Sequence, residues 1–154
     1  MCCDSWNCEH CVSGNCEPCL EKASDYDELL ECSGTIVDDP ATSPNPNGCS
    51  NPFLDPPEKD NPAGCECSSF LEPCNNHDTC YATCWGDQDK KDYCDDILEN
   101  GMDAVCTSED CLYEGCYNTC NSWANIYDMA VRGAGGPWYR SAQVGACACC
   151  NCSE

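Results

Sequence analysis

The chain has 154 residues, 22 of them cysteine, and a formal net charge of −22 from 28 acidic and 6 basic side chains. That balance excludes a nucleic-acid partner and an anionic membrane surface, both of which require a basic footprint, and it leaves divalent cations and zwitterionic lipid open. With only two Phe and three Met, the apolar set besides cysteine is too thin for ordinary stability, so the 22 cysteines read as a disulfide framework of at most eleven bridges made in an oxidising compartment.

No stretch is long and apolar enough to span a membrane. The opening Met-Cys-Cys-Asp-Ser-Trp has neither the basic nor the apolar region of a signal peptide. The expectation is a secreted or extracellular protein whose leader is absent from this numbering.

Residues 1–35 form a Cys-dense extension containing Cys2, Cys3, Cys8, Cys11, Cys16, Cys19 and Cys32. Its two CxxC pairs, Cys8/Cys11 and Cys16/Cys19, invite a four-thiolate zinc reading. The spacer between them is shorter than in zinc ribbons, and the chain has only two histidines, His10 and His77. Disulfides are the expected outcome, with His10 a solvated loop residue. Residues 36–72 follow as a turn-rich connector, in which Pro40, Pro44, Pro46, Pro52, Pro56, Pro57 and Pro62 exclude a long helix or a central strand. Cys49 pins it.

Residues 73–154 read as a helical core with a Cys-rich tail. Cys74, His77, Asp78, Tyr81, Cys84 and Trp85 recur at helical spacing, which predicts a helix over 72–86. A polar turn, Gly86–Asp92, precedes a second helix from about Tyr93 to Cys106, striped by Ile97, Leu98, Met102 and Val105. A third is predicted over Cys111–Val131, ended by the glycine run before Pro137. No β-strand series is evident, so the fold class is mainly α and disulfide-rich. On the first helix His77 and Tyr81 share a face, while Asp78 is turned about a quarter-circle away. A proton acceptor then points into one space and an anion suited to a hard cation into the next.

The string Cys74-Asn-Asn-His-Asp-Thr-Cys-Tyr81 resembles the catalytic-helix signature of the secreted phospholipase A2 superfamily, and the chain looks most like the group XII type. Asn47-Gly-Cys-Ser-Asn-Pro52 is similar to that group's calcium loop, and Cys94-Asp95-Asp96 to the opening of its second catalytic helix. Cys120-Asn-Ser-Trp-Ala124 with Ala130-Val-Arg-Gly133 is similar to the last helix of prokaryotic and fungal members. The similarity covers about residues 47–149.

The resemblance implies a phospholipase A2-like fold, with two antiparallel disulfide-linked helices carrying the site and an irregular Cys-rich N-terminal extension. It implies calcium-dependent hydrolysis of the sn-2 ester of glycerophospholipids, releasing a fatty acid and a lysophospholipid. His77 would be the general base acting on a water, Asp95 its partner (Asp96 is the alternative), and Tyr81 a support for that carboxylate. Asp78 would bind calcium with the backbone carbonyls of Gly48, Ser50 and Pro52, although Ser50 stands where the family has glycine. The implied bridges are Cys49–Cys74 and Cys80–Cys94. A third family bridge would join the positions of Pro73 and Gly101, and both of its cysteines are absent here.

The implied partner is a phospholipid aggregate or zwitterionic membrane surface. Phe53, Leu54, Trp85, Trp123 and Trp138 are candidates for an apolar rim, with core packing the alternative for the tryptophans. The N-terminal extension is the expected surface for a protein partner. The competing reading is a catalytically weak or inactive phospholipase-like protein that binds or builds within an extracellular assembly.

Overall fold

The structure, a computed structural model, describes residues 9–12, 15–18, 20–49, 60–86, 88–113 and 115–150. Among them it is mainly helical and disulfide-rich, with seven bridges. The elements in order are β1 (Glu9–Val12), β2 (Asn15–Pro18), β3 (Leu20–Glu21), α1 (Tyr26–Leu30), β4 (Thr35–Asp38), α2 (Leu71–Tyr81), α3 (Lys91–Cys106), α4 (Glu109–Tyr113), α5 (Tyr117–Ala134), α6 (Gly136–Ala146) and β5 (Cys147–Cys150). Cys8, Cys19, Phe53 and Leu54, and the side chains of His10, Cys11 and Cys16, lie outside the described residues.

The chain divides into two compact units, each made of segments that are not consecutive in the sequence. One takes the described residues up to Ser43, Ala82–Asp89 and those from Arg140 onward. The other is Pro44–Tyr81 with Lys90–Tyr139.

In the first unit, where no strand series was evident in the sequence, the extension expected to be irregular contributes β3, and the Cys-rich tail is the middle strand of a three-stranded antiparallel sheet ordered β3-β5-β4. Its register sets Cys147 opposite Asp38 and Cys150 opposite both Leu20 and Thr35. Strands of two to four residues are too short to display alternation. Cys147, Ala148 and Cys149 are buried, and the bridges Cys84–Cys147 and Cys32–Cys149 do the anchoring that β-branched side chains do elsewhere. The same unit explains why α2 stops at Tyr81, short of Trp85. The Trp85 N–H donates to Gln143 Oε1 at 3.1 Å, and Gln143 Nε2 donates to the Thr83 carbonyl at 2.7 Å. The buried Gln143 amide thus satisfies backbone groups that a further helical turn would have used.

In the second unit α3 buries Cys94, Asp95, Leu98, Met102 and Cys106, a stripe at three- and four-residue spacing, and packs against both α2 and α5. The helix expected over Cys111–Val131 is two helices, because Gly115 adopts φ 71° between them. The glycine run does end α5. Pro137 then sits in the first turn of α6, where its missing N–H loses no helical bond. Phe70, Leu98, Met102 and Tyr127 form the apolar centre, with the Phe70 and Tyr127 rings edge-on at 6.0 Å. Cys65–Cys116, Cys67–Cys111 and Cys106–Cys120 close this core, while Cys80–Cys94 ties α2 to α3.

Trp123 packs against this core, Trp85 is half-buried, and Trp138 is 43% exposed. Among the described residues no helix is long and apolar enough to cross a membrane. Phe70 has no solvent exposure, so Phe70→Ala should lower the unfolding free energy of the oxidised protein by about 3–5 kcal/mol in a urea titration. A loss under about 1 kcal/mol would mean that the cross-links, not this packing, set the stability.

Candidate active site

Two side chains one turn apart on α2 converge on one carboxylate of α3. The His77 and Tyr81 rings lie 4.1 Å apart, as their four-residue spacing requires. Asp95 has no solvent exposure. His77 Nε2 is 3.1 Å from Asp95 Oδ1, and the Tyr81 hydroxyl donates to the same oxygen at 2.7 Å. Lys91 Nζ donates to Oδ2 at 2.5 Å and to the Val131 carbonyl of α5 at 2.9 Å. Asp96, the alternative partner, is exposed and pairs instead with Arg132 at 2.7 Å.

Burial works against ionisation of Asp95. The hydrogen bonds from His77, Lys91 and Tyr81 outweigh it and hold the carboxyl below its ordinary range. Burial, followed by the bond to Asp95, drives the Tyr81 phenol far above its ordinary value, so it stays a donor. An ionised carboxylate can only accept. In a neutral His77 ring the proton is therefore on Nε2 and the lone pair on Nδ1.

His77 also lines a cavity of about 460 Å³ with mostly apolar walls, formed by Leu98, Tyr127, Val131 and Trp138 among others. Gly135 is required at its edge: a Cβ there would meet the Val131 carbonyl at 2.4 Å and the Tyr81 hydroxyl at 2.9 Å.

Asp78 is the one carboxylate that the described residues give this cavity. In the chain before α2 three successive N–H groups are each held by a side chain, the first by Asp78 itself. Asn47 donates to Asp78 Oδ2 at 3.1 Å, Gly48 to Asn75 Oδ1 at 3.0 Å, and Cys49 to Asp60 Oδ1 at 2.9 Å. Gly48 has φ 77°, and a Cβ there would lie 2.6 Å from Asp60 Oδ1, so this close approach needs glycine. Burial raises the Asp78 carboxyl above its ordinary range, against the opposing Asn47 N–H.

A half-buried carboxylate that burial disfavours as an anion, beside a loop folded onto it, suits a hard cation with oxygen ligands. Among the described residues no three His, Cys, Asp or Glu gather as a metal cluster. Such a cation would therefore depend on backbone carbonyls. Gly48 is at the cavity, whereas Ser50 and Pro52 lie outside the described residues.

Cys49–Cys74 fixes the loop to α2, and Cys80–Cys94 fixes α2 to α3. The two positions without cysteine also face each other, since a Cβ on Gly101 would meet Pro73 Cβ at 3.1 Å. His77, Asp78, Tyr81, Asp95 and Gly48 are thus brought together. Sequence reasoning missed Lys91 and Gly135. The four-residue step from Lys91 to Asp95 was the available signal for the first, and nothing local marked the second.

No family model, curated protein or solved structure matches this chain.

The Asp95 contribution to stability has a defined pH window. Its folded-state value lies below the unfolded one, so the contribution is complete above the unfolded value of about 4 and is lost as pH falls through the folded value. In urea titrations the gap between wild type and Asp95→Asn should be flat above about pH 5 and shrink on acidification below about pH 4. A gap that widens with acid would contradict this.

Proposed function

We propose that this chain is a secreted, calcium-dependent enzyme of the phospholipase A2 kind, cleaving the sn-2 ester of glycerophospholipids to a fatty acid and a lysophospholipid. The observation that carries the reading is the His77 ring, whose Nε2 is held by the buried Asp95 carboxylate and which lines an apolar cavity that also contains Asp78. A histidine–aspartate pair alone would suit many hydrolases. The apolar walls favour an acyl chain, and the carboxylate on the neighbouring residue favours a cation beside the ester. The contact between Pro73 and Gly101 supports the same reading, because these are the positions a third family bridge would join. The seven bridges favour secretion, and the net charge of −22 favours a zwitterionic headgroup.

In this reading His77 Nδ1 takes a proton from a water as the water oxygen bonds to the ester carbon. Asp95 and Tyr81 keep the ring in position, and the carboxylate offsets the charge of the imidazolium. The imidazolium then returns the proton to the glycerol oxygen as the carbon–oxygen bond breaks. Fatty acid and lysophospholipid leave. Calcium, when bound, supplies positive charge at the ester carbonyl. The residues that would hold it are Asp78 and the carbonyls of Gly48, Ser50 and Pro52.

Phosphatidylcholine vesicles test the proposal. Wild type should release fatty acid with calcium and not with chelator, and His77→Gln should be slower by on the order of 10²-fold or more. Absence of release from folded wild type would sink the reading. Calcium should also raise the melting temperature of wild type in a concentration-dependent way and leave that of Asp78→Asn almost unchanged. Equal shifts in both would remove Asp78 from the cation site.

A further inference from the structure

The three amides held before α2 go to three different side chains, of which only Asp78 lines the cavity. Asn75, which takes the Gly48 N–H, is on the same helix as Asp78. The Cys49 N–H goes at 2.9 Å to Oδ1 of Asp60, outside that helix. The same oxygen lies so close to Gly48 that a Cβ there would be 2.6 Å from it. Asp60 thus meets two consecutive loop residues, one by a hydrogen bond and one by direct contact. We propose that Asp60 is a positioning residue of this loop: it fixes the Gly48–Cys49 backbone for a cation held by Asp78 and the loop carbonyls, and is not a ligand itself.

Asp60 is firmly held in turn. Its carbonyl accepts from the Phe70 N–H at 2.6 Å, and Phe70 is fully buried with its ring against Tyr127. Between Asp60 and Phe70 the chain closes on itself. Ser68 Oγ donates to Asn61 Oδ1 at 2.6 Å, and Asn61 Nδ2 donates to the Cys65 carbonyl at 2.8 Å. Cys65–Cys116 and Cys67–Cys111 fasten the segment to the core. The carboxylate therefore stands on a cross-linked support, which a group needs if it is to hold another to a fraction of an ångström.

The loop needs such a contact because of its glycine. Gly48 has φ 77°, and glycine is the residue with the most backbone freedom to lose. A loop that is ordered beforehand spares the cation the cost of ordering it. The Asp60 oxygen supplies that order twice, as an acceptor for the Cys49 amide and as a wall beside the Gly48 Cα.

This inference rests on the proposed function in taking the Asp78 cavity as the cation site, so two measurements on the full oxidised chain separate them. The first needs no metal. In calcium-free, ¹⁵N-labelled protein the Cys49 amide should exchange with solvent on the order of tenfold faster in Asp60→Ala than in wild type, relative to the amides of α3. An unchanged relative rate overturns the inference. The second is calcium affinity by titration calorimetry in about 0.15 M salt, where charge at a distance is screened. Asp60→Ala should bind on the order of tenfold more weakly, as expected for the loss of a hydrogen bond to a charged group. Asp60→Asn keeps an acceptor at the same reach and should stay within about threefold of wild type. Asp60→Glu keeps the charge but carries it one carbon further, and should be as weak as the alanine variant.

An Asp60→Asn protein as weak as Asp60→Ala makes the effect one of charge and overturns the inference. A glutamate variant as tight as wild type does the same. Should Asp60→Ala fail to fold, the other two decide: asparagine tighter than glutamate supports the positioning role, and the reverse order overturns it. Equal calcium binding by wild type and every Asp60 variant, lost in Asp78→Asn, overturns the inference and leaves the proposed function standing. A wild type that binds no calcium overturns the calcium-dependent reading, and the Cys49 exchange rate then decides whether Asp60 holds the loop.

Discussion

A carboxylate with no access to water has to be surrounded by donors, and Asp95 sets the arrangement of everything around it. Its three bonding partners come from two helices, and the most exposed of them, Lys91, reaches on to a third. Burial of the anion would be prohibitive alone. Supplied with an imidazole, a phenol and an ammonium, it becomes the element that orients the histidine. Tyr81 is fitted in turn by Gly135 and packs edge-on against Tyr139 at 5.2 Å. The geometry at His77 therefore depends on contacts that extend well beyond it.

Cross-links allow such a polar centre in a chain with little apolar mass. Cys49–Cys74 and Cys80–Cys94 start from opposite ends of α2, so the helix bearing His77 and Asp78 is tied to the glycine loop on one side and to α3 on the other. The same economy recurs at Cys106–Cys120 between α3 and α5. Bridges restrict the unfolded chain, and they also hold polar surfaces together where hydrophobic packing would be too small to do so. Asp78 carries the opposite balance to Asp95. Burial disfavours its charge and outweighs the Asn47 N–H and the neighbouring His77 that oppose it, an imbalance suited to binding and not to stability.

Much of the site was legible because its chemistry is local. His77, Asp78 and Tyr81 lie within five consecutive residues, and helix periodicity alone puts the first and last on one face. The choice between Asp95 and Asp96 was not legible, since neighbouring residues on a helix differ only in direction. The structure points Asp95 inward and leaves Asp96 with Arg132 at the surface. Lys91 was hidden for a different reason. A lysine at the start of a helix reads as solvated until a buried acceptor is known to lie beneath it.

The sequence by itself determined the class: mainly helical and heavily cross-linked, with His77 and Tyr81 set on one helix face by their four-residue spacing. It could do so because cysteine density and i, i+4 spacing act over a few residues. The tertiary structure alone decided that α2 stops at Tyr81 under the Gln143 amide, that the cysteine tail becomes the centre of a sheet, and that Lys91 and Gly135 belong to the site. Each of these depends on groups tens of residues apart meeting in space, where the cost of an unsatisfied buried polar atom or of one extra carbon selects the arrangement.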